Sequence, residues 1–346
     1  MLNNGLENFC HFDIHLWSNS VHVQRVVDHI YREIKYLEGN FSKKEAVKKR
    51  HIHTIILNLY TNWTVSPEMY TAYHRRKGSY RPADRYNSLH ISFTTVQIVD
   101  GLETLGYLES RMGFYDRRVN GHSRASRMRA TPKLIHLMHS EYAVQPTMIS
   151  TAPNRESIIL RKPNHEGKKL DIEYTDTELT NQMRRDLNKY NSLIQKIHLD
   201  INCYKDILAE RGSKIDLTKR FVRRIFSNGR WDHGGRFYGG WWQNLESEYR
   251  KEIIINYEPS IELDYSGLHI AILYTLEGID FEAEGYPDPY SLPDIRPSSA
   301  LRRLLKTVLL TALNADNLRA TVQAVQNEIQ MRKELISLRK ERINIA

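Results

Sequence analysis

Cysteine is nearly missing: Cys10 and Cys203 are the only two in 346 residues and stand far apart with no paired spacing. That makes a disulfide framework or a cysteine-rich zinc site a poor expectation and fits a reducing compartment. Long apolar runs are missing too. Nothing approaches the ~18 residues a bilayer span needs, and the first residues carry no long apolar h-region. A cytoplasmic protein without membrane partners is therefore expected. There is no internal repeat, no low-complexity tract, no P-loop, no Ser nucleophile elbow and no His-Glu-x-x-His pattern. "CHFDIH" offers Cys10, His11 and His15, but no second cluster of matching spacing completes a zinc site.

What is present is a globular composition, 40% hydrophobic and 10% aromatic, with 50 Lys and Arg against 41 acidic residues for a net charge of +9. Length predicts roughly two domains, and the charge draws the chain to polyanions wherever it is concentrated. Pro, Asn, Gly and Ser cluster around residue 150, which sets the expected boundary between a domain over 1–150 and a second over 151–346.

The first half has a helical order. In "RHIHTIILNLYTNW", Ile52, Ile55, Ile56 and Leu59 form one stripe of a helix. A short second helix is expected around "ADRYNSLH". A third begins after Ser92 as N-cap, carries Val96, Val99, Leu102 and Leu105, and stops at Gly106. Then come a strand "YLES", a turn "RRVNGHS", a strand "RASRMRAT" and a helix start with Pro132 at its first position. Three helices followed by a basic hairpin is the order of a winged helix. Arg111, Arg117, Arg118, Arg124, Arg127, Arg129 and Lys133 face only Asp116 in that stretch, which suits phosphate contacts; Thr94, Thr95 and Gln97 are the candidate base readers. A solvated hairpin is the bland alternative.

In the second half, Met183, Leu187, Tyr190 and Leu193 fall on one helical face. "GRWDHGGRFYGGWWQN" combines glycines with Arg236, Trp241, Trp242 and Gln243, either a surface for sugars, bases or phosphates or a turn with two core tryptophans. In "SIELDYS", Ile261, Leu263 and Tyr265 alternate with Glu262 and Asp264, the period of a strand with one face buried. A turn at Ser266–Gly267 leads to a helix ending near Gly278. "SSALRRLLKTVLLTALNA" is a helix with Arg302 and Lys306 four apart, a like-charge pair that an anion between them would relieve.

Taken together, Gly235, Arg236, Gln243 and Asn244, then "LDYSGLH", then Arg302-x-x-x-Lys306 resemble the palm and fingers of family A DNA polymerases and the related single-subunit phage RNA polymerases, over about residues 225–320. The expected fold class is α+β, a winged-helix domain followed by a partial palm and fingers. The resemblance implies Asp264 as a catalytic, metal-binding carboxylate with the Tyr265 carbonyl as a second magnesium ligand. It implies Arg302 and Lys306 on the phosphates of a nucleoside triphosphate, His269 near its sugar, and Arg236 with Gln243 on the primer or template backbone. DNA or RNA would be the partner, and magnesium-dependent nucleotidyl transfer the reaction.

The sequence departs from the family at His269, Ala271, Asn314 and Ala315. After Asp316 it has neither Asp nor His, so the second metal carboxylate of the family is not matched. Three arrangements would reconcile this: a fragment of a longer polymerase, recruitment of Glu262 or a partner's carboxylate, or a scaffold that binds nucleic acid without copying it. A non-catalytic DNA-binding initiator or regulator is thus the competing expectation.

Overall fold

The structure, a computed structural model, describes residues 8–39, 44–115, 123–203, 215–265, 267–280, 288, 290, 299–315 and 317–331. It is a mixed α+β chain that divides into two units after Ile261. The boundary expected near residue 150 falls inside the first unit.

The first unit begins with β1 (Phe9–His11) and β2 (Leu16–Trp17). Ser20 then caps α1 (Val21–Glu38) by accepting from the His22 amide. In α2 (Glu45–Val65) the expected stripe is buried, but so is every residue from His51 to Asn62. A helix covered all round is a central helix, not a surface one. Its buried polar groups are therefore used: Asn58 accepts from the Asp13 amide at 2.8 Å and donates to the Asp13 carbonyl at 2.9 Å, while Asn62 donates to the Thr71 hydroxyl at 2.7 Å.

After α2 come β3 (Tyr70–Tyr73), α3 (Thr94–Thr104), β4 (Leu108–Arg111), β5 (Phe114–Tyr115), β6 (Ser123–Arg124), β7 (Ser126–Ala130) and α4 (Pro132–Ile135). The sheet order is β1-β3-β7-β4, with β7 antiparallel to both β3 and β4 and β1 parallel to β3. Val27, Ile30 and Ile34 of α1, the α2 isoleucines, Val99 and Leu102 of α3 and Met128 of β7 share one core. The short helix expected at "ADRYNSLH" is absent. Asn87 makes a turn there instead, its side chain accepting from the Ile91 amide and donating to the Ile91 carbonyl, both at 2.9 Å. That is the local competition that keeps Asn out of helix interiors.

The rest of the first unit is β8 (Ser150–Thr151), β9 (Ile158–Pro163), β10 (Lys169–Asp171), α5 (Glu178–Lys196), β11 (Leu199–Ile201), β12 (Arg223–Phe226), β13 (Gly234–Tyr238), β14 (Ile253–Ile255) and β15 (Glu258–Pro259). β9 and β12 are parallel at the centre of a sheet ordered β10-β9-β12-β13. Thr177 caps α5, and Asn191 fixes it to the sheet by bonding both the amide and the carbonyl of Val222 at 2.8 Å. Of the apolar face expected on α5, Leu187 is buried but Tyr190 and Leu193 are exposed.

These two sheets are fused. β2 pairs with β8, and Tyr86 is buried against Ile159 and Ile225, its hydroxyl donating to the Ile172 carbonyl at 2.9 Å and accepting from the Leu160 amide at 3.2 Å. Arg85 bonds Glu173 and Asp176, each at 3.0 Å, with its guanidinium 3.7 Å from the Tyr174 ring centre.

The second unit contains α6 (Leu268–Leu276), α7 (Ser299–Asn314) and α8 (Leu318–Met331). Leu304 and Val325 pack α7 on α8. α6 starts after Gly267 and ends before Gly278, as expected. The strand expected across 261–265 is absent: these residues belong to no helix or strand, and Ile261, Leu263 and Tyr265 are all exposed. Alternation there marks no buried face. Among the described residues no helix is long and apolar enough to cross a membrane.

Candidate nucleic-acid interface

The β4–β7 register decides which arginines share a face. Arg111 stands opposite Arg127, and Glu109 opposite Arg129; alternation puts all four on the side of the sheet away from Met128. Beneath them lie rings. Arg111 and Arg129 are 5.1 and 5.3 Å from the Tyr70 ring centre, and Arg127 is 4.5 Å from that of Phe9. The arginine stems thus cover apolar surface while their heads gather charge. Burial, then the neighbouring Arg124 and Arg111, push the Arg127 guanidinium's pKa down.

The candidate arginines consequently separate. Arg127 is buried, and Arg129 is held by Glu68 and Glu109. Arg111 is exposed, and Arg124 is half-buried, 5.7 Å from the Phe114 ring centre on the β5–β6 extension of the hairpin. Gly113 makes that extension possible, because a Cβ there would lie 2.3 Å from the Arg124 carbonyl oxygen. Arg117 and Arg118 lie outside the described residues.

α3 offers less than its sequence promised. Thr95 is buried, which removes it as a base reader, whereas Gln97 is exposed and Thr94 half-buried. Further along, the exposed residues Asp100 and Glu103 are acidic. Asp100 is bound in bidentate fashion by Arg75 at 2.6 and 2.8 Å, and Glu103 accepts from Ser110. The useful end of α3 is therefore its first turn. Beside it lies the basic run "HRRK", residues 74–77. Tyr80 meets Phe93 edge to face at 6.1 Å, and the Arg75–Asp100 pair ties the same loop to α3. Arg76 and Lys77 are exposed there and have no ion pair among the described residues. Four basic residues in a row after a strand were the signal that could have found them.

In the second sheet, Arg236 is exposed on β13, but Gln243 has a structural task. It donates to the Phe237 carbonyl at 3.0 Å and accepts from the Gly240 amide at 3.1 Å. Gly239 has φ 119° and its Cβ position lies 2.4 Å from the Phe221 carbonyl oxygen, so only glycine closes this turn. The glycine-tryptophan stretch is thus a turn over the buried Trp241. Outside it, Met183, Tyr190, Phe237 and Trp242 line a groove of about 460 Å³.

In the second unit, Asp264, Tyr265 and His269 are exposed. Arg302 donates to Asp288 at 2.7 Å and stands 5.1 Å from the Tyr290 ring centre. Arg302, Arg303, Lys306 and Thr307 line a groove of about 470 Å³ along α7, so the paired positive charges do share a concave surface. Among the described residues no three His, Cys, Asp or Glu side chains group as a metal site. As magnesium ligands, Asp264 and the Tyr265 carbonyl would supply two oxygen donors, short of a complete shell.

No family model, curated protein or solved structure matches the chain.

Proposed function

We propose that the first unit binds duplex DNA in the manner of a winged helix. The observation that supports this reading is topological: α2, β3, α3, β4 and β7 come in that order along the chain, with β5 and β6 between the last two, and β7 lies between β3 and β4 with a basic hairpin at the β4–β7 end. The first turn of α3, with Thr94 and Gln97, is the part offered to base edges. Arg76, Lys77, Arg111 and Arg124 supply phosphate contacts, which position the duplex without reading it. Replacing Arg76 and Lys77 by Glu should weaken binding of a mixed-sequence duplex by about tenfold or more in a fluorescence anisotropy titration, with no loss of thermal stability. Affinity that stays within twofold of the parent would remove this loop from the interface.

A second reading is supported by the α7 groove, in which Arg302 and Lys306 face the same space. In it the second unit contributes to magnesium-dependent nucleotidyl transfer, Asp264 and the Tyr265 carbonyl meeting a magnesium that a nucleotide's phosphates bring with it. Primer extension by the full chain, abolished in Asp264→Ala, is the expected result. Equal extension by both proteins, or none by either, rejects it and leaves DNA binding without synthesis.

A further inference from the structure

Where the segment around β2 meets the second sheet there is a small cavity, about 140 Å³, whose lining includes His15, Arg155, Glu156, Arg161, Asp171 and Arg223. Neither functional reading above uses it. Three of the charges at its wall, Arg161, Asp171 and Glu156, are internally satisfied. Arg161 donates to Asp171 at 2.6 Å, and Glu156 accepts from Arg184 at 3.1 Å and pairs with Arg85 at 3.4 Å. Arg155 and Arg223 are different: among the described residues neither has a carboxylate in ion-pair distance, and Asp13 on both, with Asp171 on Arg223, acts only from further away.

Burial pushes the pKa of both guanidiniums down, the sign of positive charge held where water cannot fully solvate it. His15 is neutral at physiological pH, its pKa lowered to about 4 by burial and then by Arg155. Two buried polar atoms at the wall, Nδ1 of His15 and Nε of Arg223, have no hydrogen-bond partner among the described residues. A buried N–H without an acceptor is costly. Arg155 is already fixed for use, donating to the Thr151 hydroxyl at 3.0 Å with its guanidinium 4.7 Å from the Phe221 ring centre.

We propose that this cavity binds a phosphate-class oxyanion, held by the guanidiniums of Arg155 and Arg223 and by the His15 imidazole N–H. A tetrahedral oxyanion has enough acceptors to take two guanidinium forks and a third N–H together, whereas water brings no charge and a halide no directional lone pairs. The space is that of a small anion, well below the roughly 300 Å³ of a typical site for a larger ligand. The phosphate is either free inorganic phosphate or the terminal 5′-phosphate of a nucleic-acid strand, and both present the same chemistry to the site. The inference is independent of the duplex-binding reading, since no residue is shared with the hairpin or with α3.

The test is a thermal melt of the full chain at pH 7 in potassium phosphate and in potassium chloride of equal ionic strength. A phosphate-specific rise of about 2–4 °C is expected at saturation. Arg155→Met should abolish it. Arg223→Lys, which keeps the charge but loses the fork, should cut it by half or more, and carries the comparison if Arg155→Met does not fold. Anisotropy with one single-stranded oligonucleotide, 5′-phosphorylated or 5′-hydroxyl, separates the sources. Tighter binding of the phosphorylated strand, competed by inorganic phosphate, assigns the site to a strand end; equal binding of the two strands with the melt shift retained assigns it to the free anion. No phosphate-specific shift in the parent protein, or an unchanged shift in the folded variants, overturns the proposal.

Discussion

Among single residues, His53 shows how burial becomes a pH response. It sits on α2 with its ring centre 4.1 Å from that of Trp17, and Nε2 finds no partner among the described residues. Burial lowers its pKa from 6.5 to about 4. Above pH 6.5 the imidazole is neutral whether the chain is folded or unfolded, so it adds no pH dependence. Between pH 6.5 and 4 the unfolded chain binds a proton that the folded chain refuses, and stability falls as pH falls; below about 4 the loss is complete. The full effect is on the order of 3 kcal/mol. His53→Phe keeps an aromatic ring and removes the titration. Its urea midpoint should fall less steeply than the parent's from pH 6.5 to 4.5, and parallel profiles would show that His53 does not carry this loss. Nothing in the sequence announced it, because "HIHTIILNLYTNW" reads as one apolar stripe with histidines beside it. The histidines are inside because α2 is enclosed on every side.

At the scale of elements, legibility followed the reach of each signal. The Gly106 stop, the paired strands of the hairpin and the Thr131–Pro132 helix start were all readable, since each depends on a few adjacent residues; the expected Ser92 cap was not met, because α3 begins at Thr94 after Phe93, which makes no side-chain cap bond. The turn at Asn87 was not, because an apolar and polar mixture of that length fits a helix until the Asn side chain is seen bonding both polar groups of Ile91. At 261–265 the period-2 alternation was real, yet a strand needs a partner edge and none among the described residues pairs with it. The basic hairpin was legible as charge, but how its arginines are already engaged was not: that depends on Tyr70, Phe9, Glu68 and Glu109, which come from distant segments. Their commitment sharpens the binding prediction above. Changing Arg76 and Lys77 should flatten the dependence of log K on log salt by about two units, one per lost phosphate contact. Arg129→Gln, by contrast, should leave that slope unchanged, because its head is already neutralised by two carboxylates.

For the molecule as a whole, composition pointed to a join near residue 150, and the structure places the division after Ile261. Pro, Asn, Gly and Ser mark where a chain turns, not where its contacts cease. Across residue 150 run the β2–β8 pairing, the burial of Tyr86 under Ile159 and Ile225, and the ion pairs of Arg85 with Glu156, Glu173 and Asp176. Glu156 is only 7% exposed, so cutting before it strips Arg85 of all three carboxylates and leaves the Tyr86 ring bare. Exposing the Tyr86 ring forfeits about 1.5–3 kcal/mol of apolar burial, and the β2–β8 pairing and the contacts with Ile159 and Ile225 are lost with it. These losses take a large share of the stability of an ordinary domain. A protein ending at Ile261 should therefore unfold in urea as one cooperative transition and bind duplex DNA with the affinity of the full chain. One ending at residue 150 should lose the cooperative transition and bind the hydrophobic dye ANS. A cooperative, dye-free 1–150 fragment would show instead that the first sheet closes its own core and that the contacts across residue 150 join two independent domains.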